Sequence, residues 1–120
     1  MCGLPICIDL DTDVVVKLIS FLGDSLARLR AFPDDARSQA GYQLNEVWLD
    51  NDPYDWKPMK TVGAGGREIR VREASGAYRV IYLATLPDRV LVLHAFQKKT
   101  QQTAQRDIDL AIRRLRDWKG

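Results

Sequence analysis

The chain has 120 residues, which is enough for one hydrophobic core and too few for two. Hydrophobic residues make up 46% and charged residues 28%, with only 8 Gly and 5 Pro, so a disordered or fibrous chain is excluded. The net charge of +2 hides a division: residues 1–56 carry four basic side chains against ten acidic, a net −6, and residues 57–120 carry fourteen against six, a net +8. A basic half in a small domain is an electrostatic footprint for a polyanion, because each phosphate it neutralises releases counterions. The same charges could equally solvate the surface or pair with the acidic half.

No apolar run approaches the roughly 18 residues of a membrane span, and the start lacks the basic region of a secretory signal. The expectation is a cytoplasmic protein with no membrane partner. Cys2 and Cys7 lie in a leader, residues 1–12, that carries little pattern within a single domain spanning 1–120. With His94 as the only histidine, the four ligands of a structural zinc site are lacking, so no metal or other cofactor is expected and the thiols are read as reduced and incidental.

Val14–Ile19 is β-branched and apolar enough for a buried strand. Gly23 stops it, and Asp24 is placed to cap a short helix to Phe32 with Leu26 and Leu29 on one face. Pro33-Asp34-Asp35 opens a second helix with acids in its first turn, its apolar face being Ala36, Ala40, Leu44, Val47 and Trp48. Loops follow at Asn51–Asp55 and Gly63–Gly66. In Arg67–Arg72 alternation sends Ile69 and Val71 to one face and Glu68, Arg70 and Arg72 to the other. Turns at Ser75-Gly76 and Pro87-Asp88 then separate Tyr78–Leu83 and Val90–Phe96, giving a three-stranded antiparallel meander whose last strand is apolar enough to be covered on both sides. Tyr78 and Tyr82 share a face with Val80 and read as core. Thr103 is placed to cap a closing helix with Ile108, Ala111, Ile112, Leu115 and Trp118 at helical spacing and a basic opposite side. The order predicts an α+β domain: a small curved antiparallel or mixed sheet with an N-terminal helix pair and a C-terminal helix.

Three basic clusters fall at strand ends or outward faces: Lys57 with Lys60, Arg70 with Arg72 and Arg79, and Lys98 with Lys99. Converging on one concave surface, they would supply the fixed cations that a metal-free phosphodiester reaction needs for the charge developing on phosphorus. There is no HExxH, no Walker loop and no GxSxG, which leaves the common hydrolase and nucleotide-binding classes without support.

From Leu22 onward the chain resembles the phage-derived Gp49-like branch of the RelE/HigB toxins. The resemblance runs through Gly23-Asp24-Ser25-Leu26, Trp56-Lys57-Pro58-Met59-Lys60, Glu68-Ile69-Arg70-Val71, Gly76-Ala77-Tyr78-Arg79-Val80-Ile81-Tyr82 and Leu93-His94-Ala95-Phe96-Gln97-Lys98-Lys99-Thr100. It implies a RelE-like fold and the toxin of a type II toxin–antitoxin pair, a metal-independent endoribonuclease that cuts mRNA on the ribosome and is neutralised by a helix-turn-helix antitoxin. It implies further that Arg79 contacts the scissile phosphate, that Lys98 and Lys99 stabilise charge or protonate the leaving group, and that Arg70 assists. Glu68 stands where the family commonly has a lysine, and no tyrosine follows Lys99 in the closing helix. Glu68 and His94 are further candidates at the site, Glu68 also as a salt-bridge partner of Arg79 or one that orients Arg70, and His94 also as a core histidine; Lys57, Lys60, Arg72 and Phe96 are candidates for RNA binding. The competing functions are a ParE-like gyrase-binding toxin and a nucleic-acid-binding module without activity.

Overall fold

The computed structural model describes residues 18–99 and 103–120. In chain order the elements are β1 (Leu18–Phe21), α1 (Ser25–Arg30), α2 (Asp34–Trp48), β2 (Trp56–Pro58), β3 (Gly66–Glu73), β4 (Gly76–Leu83), β5 (Arg89–Lys98) and α3 (Gln105–Lys119). The strands form one mixed sheet in the order β1-β5-β4-β3-β2, with β1 parallel to β5 and every other pair antiparallel. The α+β class, the helix pair, the meander and the closing helix are as expected. Of the strand expected at Val14–Ile19, residues 14–17 lie outside the described residues, and the described part runs on to Phe21. Trp56–Pro58 is a fifth strand that no run of apolar residues announces. It exists because Trp56, Lys57 and Pro58 pair with Ile69, Glu68 and Arg67 of β3, and a proline, lacking an N–H, is tolerated at such an edge.

Alternation along the strands decides what each face buries. Ile69, Val71, Tyr78, Val80, Tyr82, Val90 and Val92 face the helix pair and pack on Leu29, Phe32, Ala36, Ala40, Leu44 and Val47. Ile81, Leu83, Leu91, Leu93 and Phe96 face the other way, against Ala111 and Leu115 of α3. Tyr78 and Tyr82 are therefore core, as expected. Trp118 is not: it is 40% exposed and lies under the Arg89 guanidinium, 5.9 Å from its ring centroid.

The ladder between β4 and β5 is broken by one extra residue. Ile81 stands opposite His94 and Tyr82 opposite Val92, so Leu93 is a bulge. A bulge places two successive side chains near one face, and here Leu93 and His94 both serve the α3 side.

Neither expected helix cap is made. Asp24 does not bond the α1 backbone through its side chain; it accepts from Arg28 Nε at 3.0 Å and from Arg114 Nη2 of α3 at 2.5 Å. Charged donors outbid the neutral amides of a six-residue helix. These hydrogen bonds, from Arg28 first and Arg114 second, lower the Asp24 carboxyl from 3.8 to about 2. A depressed folded-state pKa contributes stability that is present above the ordinary value and is lost as pH falls through the folded one. Urea midpoints should therefore fall for the wild type between about pH 4 and pH 2, and Asp24→Asn should remove part of that slope. Parallel slopes in the two proteins would contradict this.

Candidate functional site

The strand register assembles a charged cluster on the α3 side of the sheet. Glu68, Arg70 and Arg72 alternate with the core residues of β3, Arg70 stands opposite Arg79 of β4, and Arg79 stands opposite Phe96 of β5. Lys57 of β2 pairs with Glu68, and Lys98 is opposite Ala77 two positions from Arg79.

At its centre is a buried ion pair. Glu68 is fully buried and the Arg79 side chain is 3% exposed, with Glu68 Oε1 3.5 Å from Arg79 Nε and 3.6 Å from Lys57 Nζ. Glu68 Oε2 accepts a 2.7 Å hydrogen bond from Thr103 Oγ1. Thr103, expected to cap α3, is thus spent on Glu68, and Ala104 occupies the cap position instead. Glu68 itself was expected on an outward face; it is buried there, with Arg79, Lys57 and Thr103 against its carboxylate.

Arg79 Nη1 donates to the Tyr78 carbonyl at 3.0 Å. Arg79 Nε and Glu68 Oε1 have no hydrogen-bond partner among the described residues, so the attraction between the two side chains is charge without a formed bond. Burial pushes the guanidinium pKa below its usual value, Glu68 opposes this, and Arg70 and Arg72 add to it. The group stays charged, since an arginine does not deprotonate in proteins. Lys98 is also lowered, by burial first and then by Arg79, against the pull of Glu68.

Arg70 is not oriented by Glu68. Its Nε and Nη2 both reach Asp55 Oδ1 at 3.0 Å, and its backbone N–H donates to the Asp55 carbonyl. Gln43 of α2, fully buried, locks this arrangement: Nε2 donates to the Arg70 carbonyl and Oε1 accepts from the Asp55 N–H, each at 3.0 Å. Gln43 and Asp55 were missed from sequence, although a glutamine between Ala40 and Leu44 on the buried side of α2 is a polar group that demands partners. Arg72 is exposed at the rim. Lys60, in the turn after β2, has no ion pair to the cluster among the described residues. Thr100 lies outside the described residues.

His94 is 1% exposed and its Nε2 is 2.8 Å from Asp107 Oδ1. Its ring stacks on Phe96 with centroids 4.8 Å apart and planes 23° apart. Burial lowers the His94 pKa and Asp107 opposes the shift. The ring is then neutral near pH 7, with the proton on Nε2 where the carboxylate accepts it and a bare Nδ1 that has no partner among the described residues.

The mixed five-stranded sheet, with a helix pair on one face and a single helix on the other, is a RelE-like fold. A double mutant of E. coli toxin RelE in the free state superposes with a TM-score of 0.56 at 16% identity, over 79% of this chain and 97% of that one. The family described as phage derived protein Gp49-like matches residues 27–116, and the chain belongs to that family. No curated protein sequence matches it. Among the described residues, no helix is long and apolar enough to cross a membrane.

Proposed function

We propose that the protein is the toxin of a type II toxin–antitoxin pair and cuts mRNA on the ribosome without a metal. The observation that carries the reading is the buried Glu68–Arg79 pair ringed by Lys57, Arg70, Arg72 and Lys98. In such a cut the ribose 2′-hydroxyl, losing its proton to water, attacks the neighbouring phosphorus to form a 2′,3′-cyclic phosphate as the bond to the 5′-oxygen breaks. Charge builds on the non-bridging oxygens, where Arg79 and Arg70 act as fixed cations. Arg79 is aimed by two anchors, Glu68 at Nε and the Tyr78 carbonyl at Nη1, and among the described residues its Nη2 carries no hydrogen bond. Glu68 is a positioning residue in this scheme. Lys98 gives its proton to the departing 5′-oxygen, a task eased by its lowered pKa, and Lys57, Arg72 and Lys99 hold the flanking phosphates.

An acid that must be protonated works below its pKa and stops above it. Cleavage should thus fall on the alkaline side at a pH below the usual lysine value, and Lys98→Arg should lose that limb while keeping RNA affinity. An unchanged alkaline limb in Lys98→Arg would remove Lys98 from the proton transfer.

The partner that suits the basic surface is a helix-turn-helix antitoxin whose acidic segment covers it, and the setting is the cytoplasm, where mRNA meets ribosomes. Expression without that partner, followed by pulse labelling, tests the reading: translation stops first and primer extension finds cuts in translated mRNA. Arrest of DNA synthesis while translation continues would favour a gyrase-binding toxin. Binding of RNA with no cuts would favour a module without activity.

A further inference from the structure

β1 ends opposite Val92, so among the described residues the edge of β5 from Leu93 to Lys98 has no neighbouring strand. α1 and α3 stand on either side of that edge, and between them is a cleft of about 760 Å³, a size in the range that small ligands occupy. Lys99, Arg106 and Arg113 line it, all exposed and without an ion pair among the described residues. Arg28, a fourth cation on the wall, is engaged by Asp24 at 3.0 Å. Of the two acids present, Asp107 is held by His94 and Asp109 accepts from Gln105 at 2.8 Å. The surplus is positive, and it calls for an anion.

The inner wall selects among anions. It contains the stacked rings of His94 and Phe96, and His94 Nδ1 is buried with no hydrogen-bond partner among the described residues. A bare ring nitrogen accepts a hydrogen bond and repels a carboxylate, so this wall suits an aromatic ring carrying an N–H rather than an acidic peptide. An aromatic ring with an N–H, joined to a phosphate, is a nucleotide. A smaller cleft lined by Phe96, Lys98, Lys99, Ala104 and Arg106 leads from here to Lys98, beside the Glu68–Arg79 pair.

We infer that the cleft between α1 and α3 is a nucleotide subsite holding one residue of the RNA strand that flanks the cleaved bond, its base at the His94–Phe96 wall and its phosphate on Arg106 and Arg113. The inference rests on the endonuclease reading for its strand but not for its ligand chemistry. Binding can therefore be tested without cleavage, using a fluorescent 2′-O-methyl RNA trinucleotide that cannot be cut. Arg106→Ala/Arg113→Ala alters only exposed side chains, and circular dichroism checks its fold. It should weaken binding about tenfold or more and lower the salt slope by about 0.7, the loss of one neutralised phosphate on a single strand. The His94 ring nitrogen signals of the wild type should shift on addition of the trinucleotide, and AMP should compete only weakly, distinguishing a strand from a free nucleotide.

Equal affinity of the double variant and the wild type, or an unmoved His94 signal, would overturn the subsite. So would AMP binding as tightly as the trinucleotide, or an acidic peptide displacing RNA without disturbing His94. If the trinucleotide behaves as expected while translated mRNA stays uncut, the endonuclease reading fails and the subsite stands.

Discussion

Replacing Arg79 by alanine is expected to slow cleavage of translated mRNA by about 10²- to 10³-fold, the usual cost of removing one preorganised donor from developing negative charge. The guanidinium is held from two sides, by Glu68 and by the Tyr78 carbonyl, so it meets a phosphate without first having to be ordered. Alanine also strands Glu68, fully buried, with Lys57, Lys98 and Thr103 left beside it, and some loss of stability accompanies the loss of rate. Arg79→Lys separates the two effects. It keeps a positive charge against Glu68 but gives up the planar fork, so it should unfold close to the wild-type midpoint and still cut slowly. Primer extension with purified variants, beside urea denaturation of each, makes the measurement. A folded Arg79→Lys protein cutting at the wild-type rate would displace Arg79 from the site.

Glu68→Leu should be the most destabilising single change in the cluster, at about 3–5 kcal/mol, because it leaves a buried guanidinium without its counterion. Arg70 and Arg72 already repel Arg79, and without Glu68 only the weaker pull of Asp55 opposes them. Adding Arg79→Met to this variant removes the stranded charge and restores much of the stability, since an apolar pair of similar volume often does as well as the ions it replaces. The double variant should stay inactive. Urea unfolding of the four proteins gives the coupling between the two sites; additive losses would show that the 3.5 Å approach contributes nothing. The pair would then belong to neither stability nor positioning.

Alternation made β3, β4 and β5 legible, because Ile69-Arg70-Val71 and Tyr78-Arg79-Val80 each carry the period of a sheet with one apolar face. Helical spacing did the same for α2 through Ala36, Ala40, Leu44 and Val47. Local chemistry was a poorer guide where a distant partner was stronger. Asp24 and Thr103 read as caps but bind Arg114 and Glu68, which no local pattern reveals. β2 escaped notice since three residues ending in proline have no period to detect. The candidate site was legible in its cations: Lys57, Arg70, Arg72, Arg79 and Lys98 do share one side of the sheet. Its anion, Glu68, was legible as a candidate and as a partner of Arg79 but not as a buried group, because a carboxylate on an outward position is expected in water. The side on which His94 falls depends on the bulge at Leu93, and bulges leave little trace in sequence.

Arg114 joins three elements through one guanidinium: Nη1 donates to the carbonyl of Leu93 in β5, and Nη2 holds Asp24 at the start of α1. Gly23, at φ 57, lies so close that a Cβ there would run into the Arg114 side chain. Local opening of α3 must therefore give up the anchor of α1 as well as its own packing on Leu91 and Leu93. Under hydrogen exchange the amides of the two helices should open together, with one free energy below that of the central strands. A protein partner that peels α3 from the sheet would loosen α1 in the same event, even if it never touches it.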